Sequence, residues 1–243
     1  MDAMTLPARV LVVDVGGSHV KCLASGHSVP RKFDSWPEMT AAQMVERVLA
    51  LVAGWRFDVV SLGYPGAVAD NRPAKEPHNL GAGWCGFDFE AAFKRPVKVI
   101  NDSAMQAYGA YRGGKMLFLG LGTGLGTALI VDGVLVPLEL AHLPYKKHDT
   151  YEDRVGKRGL DRLGEKKWRR EVETVIELFR RALLPEYIVV GGGNAKRIDD
   201  FPAHVSRVDN SAAFTGGFYL WRSPNLTAPR ALARAGAPIG TES

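Results

Sequence analysis

Val10-Leu11-Val12-Val13-Asp14-Val15-Gly16-Gly17-Ser18-His19-Val20-Lys21-Cys22-Leu23-Ala24 is an apolar run that meets one carboxylate, turns through two glycines and resumes as an apolar run. The pattern predicts two strands, Val10 to Val15 and Val20 to Ala24, joined by a glycine turn. It recurs downstream: Met116-Leu117-Phe118-Leu119 passes through Gly120-Leu121-Gly122-Thr123-Gly124-Leu125-Gly126 and continues as Thr127 to Val131. A third apolar strand, Tyr187 to Val190, runs into Gly191-Gly192-Gly193. Between these landmarks, Thr40 to Ala53 has helical spacing and leads into a strand at Phe57 to Leu62, and Val97 to Ile100 forms a short buried strand. The polar pair Asn101-Asp102 opens a helix reaching about Tyr111, Asp132-Gly133 makes a tight turn, and Glu165 to Leu184 is a long amphipathic helix. Gly63 to Gly86 is too rich in Gly, Pro and Asn, and too long, for a plain connector, so a functional loop region is expected there.

This order predicts an α/β chain of two lobes with a duplicated mixed-sheet plan and a central cleft. Residues 1–112 make the first lobe and 113–222 the second, completed by a helix around Ala212 to Leu220; residues 223–243 are expected to form a flexible tail. With 46% apolar and 23% charged residues in 243, a sizeable core is possible. No stretch approaches eighteen apolar residues and the start does not read as a signal peptide, so a cytoplasmic protein without a membrane span is expected. Two distant cysteines, Cys22 and Cys85, argue against a disulfide framework or a structural zinc. The net charge of +5 raises the question of nucleic acid, but the basic residues concentrate between Lys146 and Arg181 amid acidic ones, as in a solvated helix face.

Glycine loops directly after buried strands let backbone N–H groups approach phosphate oxygens, and Ser18 and Thr123 add hydroxyl donors. Each loop alone equally fits a tight hairpin turn; the three together favour anion binding. None spells the dinucleotide fingerprint with its third glycine. Gly109 to Met116 spells most of a P-loop, but Met116 stands where a hydroxyl is needed and a strand follows, so that match is read as coincidence. Asp102 is the sharpest catalytic candidate, since a carboxylate at a rigid strand terminus can accept a hydroxyl proton; the competing reading of Asn101-Asp102 is a helix N-cap. Glu139, His142, Glu152 and Asp153 lie in a turn-rich stretch and either hold a polyhydroxylated ligand or decorate a surface loop.

In this order the pieces resemble the ROK family of sugar kinases, which have the actin-like ATPase (ribonuclease H-like) fold. The resemblance covers about residues 9 to 221. Val12 to Lys21 is similar to the family's first phosphate motif, with Ser18 where Thr is usual. Gly63-Tyr64-Pro65-Gly66-Ala67-Val68 resembles its proline turn, and His78-Asn79-Leu80 with Trp84 its sugar loop. Asn101-Asp102 matches the sugar-binding Asn and catalytic Asp, Leu121 to Gly126 the second phosphate motif, and Val190 to Gly193 the adenosine-side loop. Glu139-Leu140-Ala141-His142 is similar to the family's Glu-Leu-Gly-His, with Ala141 in place of Gly. The cysteine cluster by which many members hold zinc is absent; Tyr151-Glu152-Asp153-Arg154-Val155 with Trp168 is most similar to the polyphosphate glucokinase branch.

The resemblance implies transfer of a phosphoryl group from ATP or inorganic polyphosphate to the 6-hydroxyl of glucose, with Asp102 as base. Asn79, Asn101, Asp102, Glu139, His142 and Glu152 would bind the sugar. Gly16, Gly17, Ser18, Lys21, Gly122, Thr123 and Gly124 would cradle phosphates, Gly191, Gly192 and Gly193 would flank a nucleotide, and Asp14 would position Mg²⁺. A homodimer is expected on the same ground. The rival readings are a non-catalytic sugar-sensing regulator, disfavoured as a nucleic-acid binder because only nine residues precede Val10 and as a dead kinase by the presence of Asp102, and a kinase for mannose or an amino sugar. Lys146, Lys147, Arg154, Lys157, Arg158, Arg162, Lys166 and Lys167 either guide a polyphosphate chain or form a solvated face.

Overall fold

A computed structural model describes residues 8–222; the tail expected over 223–243 lies outside the described residues. Two five-stranded sheets repeat one topology. In the first, β1 (Val10–Val15), β2 (His19–Ala24) and β3 (Arg31–Asp34) form an antiparallel meander, and β4 (Val59–Tyr64) and β7 (Val97–Asn101) add in parallel on the other side of β1. In the second, β8 (Lys115–Leu121), β9 (Leu125–Val131) and β10 (Val134–Pro137) repeat the meander, and β11 (Tyr187–Gly191) and β12 (Val205–Arg207) add in parallel beside β8. A two-stranded ribbon, β5 (Val68–Ala69) with β6 (Arg72–Pro73), stands in the Gly/Pro-rich segment.

The apolar runs of β1, β4, β8 and β11 are buried along nearly their whole length, as parallel strands covered on both faces must be. The outer face of the first sheet packs under α1 (Ala41–Leu51) and α2 (Phe89–Phe93), with Trp84 and Tyr64 fully buried. Thr40 caps α1 in a reciprocal box with Gln43: Gln43 N donates to Thr40 Oγ1 at 3.3 Å and Thr40 N to Gln43 Oε1 at 3.0 Å. The outer face of the second sheet packs under α4 (Tyr151–Val155), α5 (Lys157–Leu163) and α6 (Glu165–Leu183). Trp168, fully buried on α6, donates its indole N–H to the Val155 carbonyl at 2.8 Å. The expected turn at Asp132-Gly133 has φ of 49° and 81°, the left-handed pair of a two-residue hairpin.

The inner faces share a third core, built on the two helices that follow the last parallel strand of each sheet: α3 (Asp102–Ala110) after β7 and α7 (Ala212–Tyr219) after β12. They cross so closely that a Cβ on Gly109 would lie 2.9 Å from the Gly216 nitrogen and one on Gly216 would lie 2.9 Å from the Gly109 nitrogen. Gly109 of the P-loop-like stretch is therefore a helix-crossing residue. Grouped by sequence with the second lobe, α7 packs against α3 and across β1 and β4 of the first sheet. Ser61 Oγ donates to Gly217 O at 2.6 Å, Trp221 Nε1 donates to Ser61 Oγ at 3.0 Å, and Lys98 Nζ donates to Leu220 O at 2.6 Å.

Candidate functional site

Strand register assembles the site. Asp14 ends β1 opposite Lys21 on β2 and beside Gly63 on β4, while Tyr64 pairs Asn101 at the end of β7. Asp14 and the start of α3 thus sit two strands apart at the carboxyl edge of one sheet, roughly 10 Å at the usual ~4.8 Å strand spacing. Gly120 and Gly191 occupy the matching edge of the second sheet, in register with each other.

The Asp14 carboxyl is pushed above its ordinary range by burial, against which Lys21 Nζ, 3.6 Å away, pulls it down. Asp102 is raised to about 7, mainly by burial and then by the charge of Asp14. Two bonds to its Oδ1, from Ser103 N at 2.7 Å and Ser103 Oγ at 3.4 Å, oppose the rise. A carboxyl titrating there is suited to exchanging a proton at neutral pH. Asn101 is the N-cap: its Oδ1 accepts from Ala104 N at 3.0 Å, and its Nδ2 donates to Gly66 O at 3.1 Å. The two readings of this pair divide between its members, the first capping the helix while the second leaves its carboxylate at the helix start.

In both glycine hairpins the carbonyls are tied back into the scaffold. Ser35 Oγ donates to Gly16 O at 2.7 Å and Ser35 N to Ser18 O at 3.0 Å. In the second loop Asn194 N donates to Leu121 O and Asn194 Nδ2 to Gly122 O, both at 2.9 Å, and Lys157 N to Thr123 O at 3.1 Å. Carbonyl oxygens repel anions, so engaging them lowers that repulsion at the loops; two of the loop amides are engaged as well, Gly16 N donating to His19 O at 3.0 Å and Gly122 N to Gly124 O at 3.1 Å. Gly192, at φ 85°, lies with its Cα against the Leu121 backbone, so the third loop braces the second. Gly191 packs against the Phe118 ring and Gln106, and Gly193 is exposed. Ser103 Oγ packs against Gly120 and Gly126, which joins the start of α3 to the second hairpin.

The remaining expected residues fall in two groups. Asn79 is exposed and lies against Gly17, where a Cβ would be 3.4 Å from its own. Its loop is organised by Glu76, whose carboxylate accepts from Trp84 N and Cys85 N at 3.1 Å each. Glu139 and His142 are exposed on either side of buried Ala141. Thr127 holds their segment by donating to Leu138 O at 2.9 Å, and Glu152 N donates to Ala141 O at 3.0 Å. Among the described residues no hydrogen bond or ion pair joins Glu139 or His142 to Asp102. Glu152 accepts from Leu125 N at 3.0 Å and so stands on the second glycine hairpin as well.

Ser35, Asn194 and Ser103 complete the site and carry no sequence signal of their own, except that Ser103 follows Asn101-Asp102. Of the eight basic candidates, Lys146, Arg154, Lys157, Arg158 and Arg162 are ion-paired with Glu171, Asp149, Asp161, Asp153 and Asp149. Lys147, Lys166 and Lys167 have no ion pair among the described residues.

No family model matches the sequence. The polyphosphate glucokinase of Mycobacterium tuberculosis (strain CDC 1551 / Oshkosh) is 26% identical over 239 residues, covering 84% of this chain and 88% of the relative. The inorganic polyphosphate/ATP-glucomannokinase from Arthrobacter sp. strain KM superposes with a TM-score of 0.75 at 25% identity, covering 88% of this chain and 98% of that one. The chain is thus similar in sequence to polyphosphate glucokinases and in fold to ROK-family sugar kinases. The ROK glucokinase from Streptomyces griseus, with a TM-score of 0.73 at 18% identity and coverage of 88% and 99%, shares the fold. The two-lobed actin-like plan expected from the sequence is thus the fold of this chain. Among the described residues no helix is long and apolar enough to cross a membrane.

Proposed function

We propose that this protein transfers a phosphoryl group from polyphosphate or ATP to the 6-hydroxyl of glucose, with Asp102 taking the hydroxyl proton. The observation that carries the reading is the placement of Asp102: at the start of α3, raised to about 7, within the electrostatic reach of Asp14 on β1 and joined through Ser103 to the second glycine hairpin. The names of the similar proteins, polyphosphate glucokinase and polyphosphate/ATP-glucomannokinase, support the acceptor and the donors.

In this reading Asn79, Asn101, Glu139, His142 and Glu152 orient the ring, and the amides of Gly16, Gly17, Gly122, Thr123 and Gly124 with Ser18 and Lys21 receive phosphate oxygens. Gly191 to Gly193 take the nucleotide side when ATP is the donor. The two lobes, the first carrying α7 on its sheet, close on the two substrates and exclude water, limiting donor hydrolysis. Asp14 fits a Mg²⁺ ion: its partly buried carboxylate is ion-paired, among the described residues, with Lys21 alone, at 3.6 Å. One carboxylate with donor phosphates and water is a usual magnesium environment. Bound there, the ion would neutralise charge on the donor phosphates. The enzyme works as a cytoplasmic homodimer, needing neither nucleic acid nor membrane.

Glucose 6-phosphate formation from glucose and Mg²⁺, assayed in parallel with ATP and long-chain polyphosphate, tests the reading. Product with either donor is expected, and their ratio fixes the preference. A steep salt dependence confined to polyphosphate would assign Lys147, Lys166 and Lys167 to its path. No product with either donor would overturn the reading.

A further inference from the structure

Glu152 makes contacts on both sides of the site. Its backbone amide donates to Ala141 O at 3.0 Å, fastening α4 to the Glu139–His142 segment, and its carboxylate Oε2 accepts from Leu125 N at 3.0 Å. The Gly124 Cα faces that carboxylate so closely that a Cβ there would lie 2.9 Å from Glu152 Cδ. The end of the same helix meets the loop a second time, Lys157 N donating to Thr123 O at 3.1 Å. Among the described residues no cation is ion-paired with Glu152. A carboxylate without a cation, held against a loop that would receive phosphate, costs electrostatic energy once the phosphate arrives, so its retention there calls for a gain elsewhere.

We infer that Glu152 is a positioning residue that couples the two substrate sites, setting the conformation of the second glycine loop from the segment that carries Glu139 and His142. The inference rests on the kinase reading for what the two sites bind, but the bond itself is independent of it. A residue acting on the sugar alone leaves the donor untouched when no sugar is present. A coupling residue affects both.

Two measurements on Glu152→Ala and Glu152→Gln, each checked for folding by circular dichroism, decide the matter. Hydrogen exchange of the peptide spanning 121–127 in the substrate-free protein should speed up about tenfold or more at Leu125 in Glu152→Ala, the equilibrium worth of one hydrogen bond to a charged group. Glu152→Gln, whose side-chain carbonyl still accepts from Leu125 N, should stay near wild type. Binding of a non-hydrolysable ATP analogue and of inorganic polyphosphate, measured by calorimetry without sugar, should weaken about tenfold in Glu152→Ala and be retained in Glu152→Gln. Unchanged exchange in Glu152→Ala, or donor binding equal to or tighter than wild type, overturns the coupling. Equal loss in both variants overturns it too, because charge and not loop geometry would then be the cause. If the wild type binds neither donor the kinase reading fails, and the exchange experiment still decides whether Glu152 sets the loop.

Discussion

The two glycine hairpins hold equivalent places in the two sheets and are braced differently. The first, Gly16 to Ser18, is tied back by Ser35, a neutral residue just beyond β3 of the same sheet. The second, Gly122 to Gly124, is tied by Asn194 from the third loop and by Glu152 from α4. The helices that follow the matching strands differ as well. Asn101 caps α3 and Asp102 follows it, whereas α7 starts at Ala212 with no side-chain cap bond from Ser211. One topology used twice thus yields one half with a proton-accepting candidate and a self-braced loop, and another whose loop answers to neighbouring segments. The duplication fixes where loops occur, and single side chains decide what each loop does.

Substituting at the α3–α7 crossing, a contact that joins the two halves, breaks the comparison most severely. Gly109→Val at the α3–α7 crossing should cost about 3 kcal/mol or more, since the new side chain meets backbone that cannot move aside; thermal and urea unfolding measure it. Asp102→Asn asks whether the two helix starts differ in chemistry. It should lower kcat by about two orders of magnitude with sugar binding nearly unchanged, the scale of a lost general base, and near-normal turnover would remove the asymmetry. In the wild type, kcat/KM should fall about tenfold for each pH unit below 7 as the carboxylate protonates.

The same substitution has a stability consequence of opposite sign. The folded state holds the Asp102 proton up to about pH 7, far above the ordinary aspartate range. Its favourable contribution is complete at acid pH, below the unfolded pKa, and is lost as pH rises through 7. Asp102→Asn should therefore be more stable than wild type at pH 8 by on the order of 2 kcal/mol, with no gain near pH 3. The smallest expected effect is at the self-braced loop. Ser35→Ala removes one hydrogen bond to Gly16 O, about 1 kcal/mol, and should raise the KM for donor severalfold with kcat little changed.

Sequence made the buried strands legible because β1, β4, β8 and β11 are mostly apolar runs, β4 broken only by Ser61 and Gly63, and α6 because Trp168, Val172, Val175, Ile176 and Phe179 keep a helical period. The strand Arg31–Asp34 escaped because it is a polar, mostly exposed edge with one apolar residue, Phe33. Helices α4 and α5 escaped because Asp149, Asp153 and Asp161 pair with arginines and lysines from the same short stretch, so charge replaces apolar periodicity. In the site, Asp102 was readable as a polar residue ending an apolar strand. Ser35, Asn194 and the bond from Leu125 to Glu152 were not, because each joins segments far apart in sequence, and pairing at such distance leaves no local trace.

The packing of α7 onto the first sheet bears on how the chain comes into being. Val10, Val12 and Val59 find their covering partners in Ala213, Phe214 and Leu220 as well as in α3. During synthesis the first strand must wait for some two hundred further residues before its inner face is closed, with apolar surface open to chaperones or to neighbouring chains meanwhile. The lobe made first is thus among the last parts to be finished.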